Sequence, residues 1–199
     1  MAEKNRVAQV RPVSAEDLRE LAERMSTVHI SRIREMPRIE LYLDQLITLV
    51  SQELEFMKVP GETPVTGSMV NNYVKQGVIP APRKKRYTRR HVASLLLVCA
   101  FKRVFTISQV KQIMERVYAS DSDLAWLYDE TCALLERSLA ACFSPDGADA
   151  GRCCGIEPPS GEKSLDPELE RLIVAAASSL ATKVYVEQTL LLAEGVGPR

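Results

Sequence analysis

Histidine is nearly missing from this chain: His29 and His91 are the two present, they lie far apart, and no carboxylate pair brackets either at a recognisable spacing. An imidazole-centred acid–base site therefore has little to be built from. Equally absent are a GxGxxG turn, a P-loop, a nucleophile elbow and an HExxH helix, so the common nucleotide-binding and hydrolytic sites have no footing. No enzyme and no cofactor are expected. Long apolar runs are lacking too. The longest, "VASLLLVCAF" at 92–101, has ten residues, about half of a membrane span, and is expected to be core. The amino-terminal "MAEKNRVAQVRPVSAEDL" carries charges but no apolar h-region, and the five cysteines make an odd count. Together these predict reduced thiols, a cytoplasmic location and no membrane partner. Period-two stretches rich in β-branched residues are almost absent, which argues against a sheet protein.

Net charge is also missing, since 26 Lys and Arg balance 26 Asp and Glu, but the zero conceals a partition. Between Pro60 and Val104 stand nine basic residues (Lys75, Arg83, Lys84, Lys85, Arg86, Arg89, Arg90, Lys102, Arg103) against one acid, Glu62, a balance of +8 that leaves −8 for the rest. A basic segment inside an acidic body implies a local anionic partner.

Apolar residues recur three and four apart over most of the chain, predicting an all-α fold. "SAED" at 14–17 reads as a capping box opening a short helix. From Ile39, Leu43, Leu46, Ile47, Val50, Leu54 and Met57 keep helical register, predicting one helix over 39–57 that "KVPGETP" terminates. A short helix is expected over about 66–76, opened by Thr66 or Ser68 and closed by Gly77. "VIPAPRKKRY" is barred from helix by Pro80 and Pro82 and reads as a loop or small two-strand wing. Further helices are expected from Thr88 to about Val104, after the capping box "TISQ" at 106–109, over about 122–142 behind Asp121 or Asp123, and from Pro167 behind Asp166. The stretch at about 143–165 is a long loop by composition, and the tail "GVGPR" is expected to fray.

On the short helix, Met69, Val70, Tyr73 and Val74 fall on one side, while Ser68, Asn71, Asn72 and Lys75 fall on the other with no acid among them. Two adjacent asparagines cost helix stability unless they have another use. In a major groove that use is defined, because an Asn amide pairs bidentately with adenine and Ser or Lys reaches phosphates or base edges. A solvated polar face is the plain alternative. A short helix, a glycine stop, a "VIP" turn and a basic segment before another capped helix together describe a winged helix-turn-helix. The basic segment would lie along the phosphate backbone of double-stranded DNA.

The run "VTGSMVNNYVKQGVIPAPRKKRYTRRHVASLLLVCAFKRVFTISQVKQIM", with "MPRIELYLDQLITLV" before it, resembles the bacterial domain-of-unknown-function family numbered 1836 and, more distantly, the MerR-type DNA-binding module. That resemblance spans about 36–118. It implies that Ser68, Asn71, Asn72 and Lys75 face DNA, that Arg83, Lys84, Lys85 and Arg86 line a wing with Arg89 and Arg90 beyond it, and that Tyr87 anchors the wing or contacts a phosphate. It divides the chain into an amino-terminal extension (1–35), a MerR-like module (36–120) and a carboxy-terminal helical region (121–199), and implies a homodimeric transcriptional regulator.

Two further readings stay in view. Cys142, Cys153 and Cys154 are the thiolates a metal or redox sensor would use, but their spacing is not C-x₂-C and no histidine lies near, so no metal is expected. Cys99 and Cys132 sit in apolar helical contexts as core residues. The rival to a DNA-binding function is a protein-interaction module of the same fold whose basic patch takes an acidic partner. Structured RNA is a third candidate for the anion.

Overall fold

The computed structural model describes residues 12–144, 156 and 165–195. Most of the expected loop at 143–165, with Cys153 and Cys154, and nearly all of the tail lie outside the described residues. Among the described residues the chain is all-helical, with seven α-helices and two isolated β-bridges but no strand. The helices are α1 (Ala15–Ser26), α2 (Leu43–Glu53), α3 (Gly67–Lys75), α4 (Arg89–Phe101), α5 (Ile107–Ala119), α6 (Leu124–Phe143) and α7 (Pro167–Ala193). None is long and apolar enough to cross a membrane.

Helix α4 is the hub. Ten of its thirteen residues are buried, which explains why the apolar run at 92–101 has no polar face to present. Fully burying side chains such as Leu95 and Leu96 contributes about 1.5 to 3 kcal/mol each. Helices α2 and α7 pack against α4, α3 rests on α2, and the long α6 and α7 pair with each other. Helix α1 lies on α6 through Leu21 and Met25, its entry fixed as the sequence predicts: the Ser14 hydroxyl accepts from the Asp17 N–H at 3.0 Å and the Asp17 carboxylate from the Ser14 N–H at 3.3 Å. The expected caps at Thr66, Thr106, Asp123 and Asp166 are all in place.

The segment between α1 and α2 has no regular structure, so its backbone donors need other acceptors. Carboxylates supply them. Glu136 accepts from the Ile30 N–H at 2.7 Å, Glu53 from the Ser31 N–H at 2.8 Å and Asp129 from the Ile33 N–H at 2.8 Å. The Arg32 guanidinium also pairs with Glu136. Part of the chain's acidic excess is thus turned inward.

One helix differs from expectation. In place of a continuous helix over 39–57, α2 spans Leu43–Glu53 and a short 3₁₀ turn covers Glu55–Met57. The cause lies at its start: the Tyr42 N–H donates to the Gln45 side chain at 2.9 Å, capping the helix there. That frees Leu41 to pair in an antiparallel bridge with Tyr87, with reciprocal N–H to O distances of 2.8 and 2.9 Å. A residue with helical periodicity is used instead as half of a two-residue sheet.

Candidate nucleic-acid interface

Helix α3 begins where the Thr66 hydroxyl accepts from the Met69 N–H at 3.2 Å. It ends in a Schellman motif: Gly77 has φ +69°, its N–H reaches Val74 O at 3.0 Å, and the Val78 N–H reaches Tyr73 O at 2.9 Å. Between these stops Val70 and Tyr73 are buried, and burial pushes the Tyr73 phenol up to about 12. Ser68, Asn71, Asn72 and Lys75 are all exposed. Among the described residues the Asn71 amide has no partner, whereas the Asn72 oxygen accepts from Gln76 Nε2 at 3.1 Å.

Beyond Pro82 the chain reverses in a two-residue turn. Arg83 and Arg86 form an isolated antiparallel bridge, the Arg86 N–H donates to Arg83 O at 2.9 Å, and Lys84 and Lys85 carry φ of 50° and 60°. Positive φ at both central positions defines a type I′ turn, whose preferred residues are Asn and Gly. Here two lysines occupy it, with their ammonium groups exposed beside the exposed Arg83. Among the described residues none of Lys75, Arg83, Lys84, Lys85, Arg86 and Arg90 forms an ion pair with a carboxylate.

The base of the turn is fixed from three directions. The Arg86 guanidinium lies over the Tyr42 ring at 3.6 Å from its centroid. Tyr87 is 4% exposed, and its ring meets His91 edge-on at 5.6 Å. His91 itself joins the two ends of the segment. Its Nδ1 accepts from the Thr88 N–H at 3.0 Å and from the Thr88 hydroxyl at 2.9 Å, which assigns the ring proton to Nε2, 3.4 Å from Ala81 O. His91 thus contacts backbone at both ends of the segment.

The expected site residues fall into two groups. Ser68, Asn71, Asn72, Lys75, Arg83, Lys84, Lys85 and Arg90 are exposed, and Arg86 is half-buried against Tyr42. Tyr87 and Arg89 stand apart. Tyr87 is buried with its ring packed edge-on against His91, while Arg89 is half-buried and donates from Nε to Pro37 O at 3.2 Å. The fastening roles of Leu41, Tyr42 and His91 were missed in the sequence, although the spacing of Tyr42 to Gln45 carried the signal of a helix start there. Arg103, part of the basic count, is spent internally on Glu62 at 2.8 Å and Glu187 at 2.6 Å.

Three of the thiols, Cys99, Cys132 and Cys142, lie among the described residues. Burial pushes Cys99 and Cys132 up to about 12, so both stay protonated and poor ligands. Cys142 is half-buried on α6, and its proposed companions lie outside the described residues.

Residues 31–131 match a family model described as a domain of unknown function (DUF1836), which takes in α2 to α5, the basic turn and the first part of α6. No curated protein and no solved structure matches the chain.

Proposed function

We propose that this chain, which belongs to the DUF1836 family, is a non-enzymatic, cytoplasmic protein that binds double-stranded DNA as a transcriptional regulator, through a MerR-like winged helix-turn-helix. In this reading α3 enters the major groove with Ser68, Asn71, Asn72 and Lys75, and the turn at 83–86 follows the phosphate backbone as the wing. A homodimer would place two such units on successive half-sites.

The observation that carries the proposal is the state of the basic turn. Two lysines held in left-handed backbone conformations, flanked by arginines, present cations that no carboxylate of the described residues neutralises. An internal structural role for these charges would have paired them, as Arg103 is paired. The adjoining helix face supports the same reading, because it is polar, exposed and free of acids.

Replacing Asn71 or Asn72 by Ala tests base reading directly. Each change is expected to cost about 1 to 3 kcal/mol on a selected duplex and almost nothing on random duplex DNA. Equal losses on both would remove the base-reading role. A protein-interaction module is favoured by one observation, the 69% exposure of Ile39 and the 51% exposure of Tyr42 on the segment beside the basic turn. That reading expects no salt-dependent binding to duplex.

A further inference from the structure

A half-enclosed cavity of about 320 Å³ lies between α4, α5 and α6, with Ile33 and Ile173 of α7 also in its lining. Its walls are largely apolar, with Leu97, Phe101, Met114 and Leu127 among them. At about 30 Å³ per water-sized group, that volume admits an apolar body of about ten non-hydrogen atoms. It falls within the range of small-ligand sites, which combine apolar walls with a few convergent polar groups.

Two of the three charged groups here are cationic. Arg89 and Arg90, from the first turn of α4, both line the cavity. Arg89 uses Nε on Pro37 O, but its Nη2 is buried and has no hydrogen-bond partner among the described residues. A buried cationic donor without an acceptor is costly, and an anionic group would satisfy it. Arg90 adds its charge near the Tyr118 hydroxyl: burial pushes that phenol up, while its hydrogen bond to Ser94 and the Arg90 charge act the other way. Asp123 is the single acid in the lining, and its carboxylate is engaged at 2.8 Å by the Ala125 N–H as the cap of α6. The phenol and threonine hydroxyls are satisfied within the protein, Tyr118 on Ser94 at 2.8 Å, Tyr128 on Ser31 O at 3.0 Å and Thr131 on Leu127 O at 2.7 Å.

We infer that this cavity binds a small amphipathic monocarboxylate, its apolar tail among the α4–α6 side chains and its carboxylate on the Arg89 and Arg90 guanidinium groups. The site is independent of nucleic acid and is tested without it. Calorimetric titration of the full chain with octanoate, 1-octanol and octylamine separates tail from head. Octanoate is expected to bind one-to-one, at least about tenfold tighter than 1-octanol, with octylamine weakest. Arg89→Met should bring octanoate down to the level of the alcohol and leave the alcohol unchanged. Ala125→Phe, at the wall of the cavity, should abolish both while thermal unfolding stays cooperative, which covers the case in which Arg89→Met does not fold. Octanoate binding no tighter than the alcohol, unchanged affinity in Arg89→Met, or unchanged affinity in Ala125→Phe each overturns the inference.

Discussion

Lys84 and Lys85 occupy backbone conformations that lysine does not favour. A left-handed residue with a Cβ costs about 1 to 2 kcal/mol relative to a right-handed one, and this turn holds two in succession. Asn-Gly would form the same type I′ turn with less strain. The strain is offset by what surrounds the turn: the Tyr87–Leu41 bridge, Arg86 on Tyr42, and His91 joining Ala81 to Thr88. Retaining lysines there makes sense if the two charges are wanted at the tip. Lys85→Gly should therefore stabilise the fold by about 0.5 to 1 kcal/mol in urea denaturation and lower the salt slope of duplex binding by about one unit. A loss of stability would show that the lysine side chains support the turn rather than merely occupy it.

Among the elements, α3 is the one whose limits were most legible, because both ends are set by local chemistry. Thr66 supplies the first acceptor and Gly77 the left-handed exit. A Cβ at position 77 would meet nothing within 4 Å, so Gly77→Ala isolates the backbone term, and a loss of about 1 kcal/mol in thermal or urea unfolding is expected. An unchanged midpoint would mean that the helix end relaxes at no cost. The start of α2 was not legible, since Ile39 and Leu41 continue its periodicity while their place is decided by a partner residue 46 positions downstream, Tyr87. The lysine turn was hidden for a similar reason: nothing in "RKKR" names a turn type, and only the surrounding tertiary contacts impose one. The charge asymmetry itself was legible, but the internal use of Arg103 was not, because Glu187 lies on α7. That pair makes a pH prediction. Burial pushes Glu187 up, but hydrogen bonds from Lys183 and Arg103 outweigh it and hold the carboxyl below its usual range. A carboxylate held low in the fold stabilises it above the unfolded value and loses that contribution as pH falls through the folded one. Arg103→Met should cost about 1 to 3 kcal/mol at pH 7, between an exposed and a fully buried pair. The variant should also lose less stability than the parent between about pH 5 and pH 3. Parallel pH profiles would place the acid sensitivity elsewhere.

Across the whole molecule, two uses of charge are kept apart. Several acids are turned inward, with Glu53, Asp129 and Glu136 holding the 30–33 backbone and Glu187 holding Arg103. Lys75, Arg83, Lys84, Lys85 and Arg90 are left outward on one chain segment. Such a separation leaves a local positive field on a chain of zero formal charge, which steers an anionic partner to one place and repels it elsewhere. Arg89 and Arg90 line the apolar cavity and follow the basic turn closely in sequence. The account rests on that outward field fitting a nucleic-acid duplex. The most direct measurement is the affinity for random duplex DNA as a function of salt, for the parent and for a variant with Arg83, Lys84, Lys85 and Arg86 all changed to Ala. The parent should bind with an affinity that falls steeply with salt, and the variant should bind more weakly with a slope flatter by about three to four units. Absence of duplex binding by the parent, or the same slope in both proteins, would contradict the account.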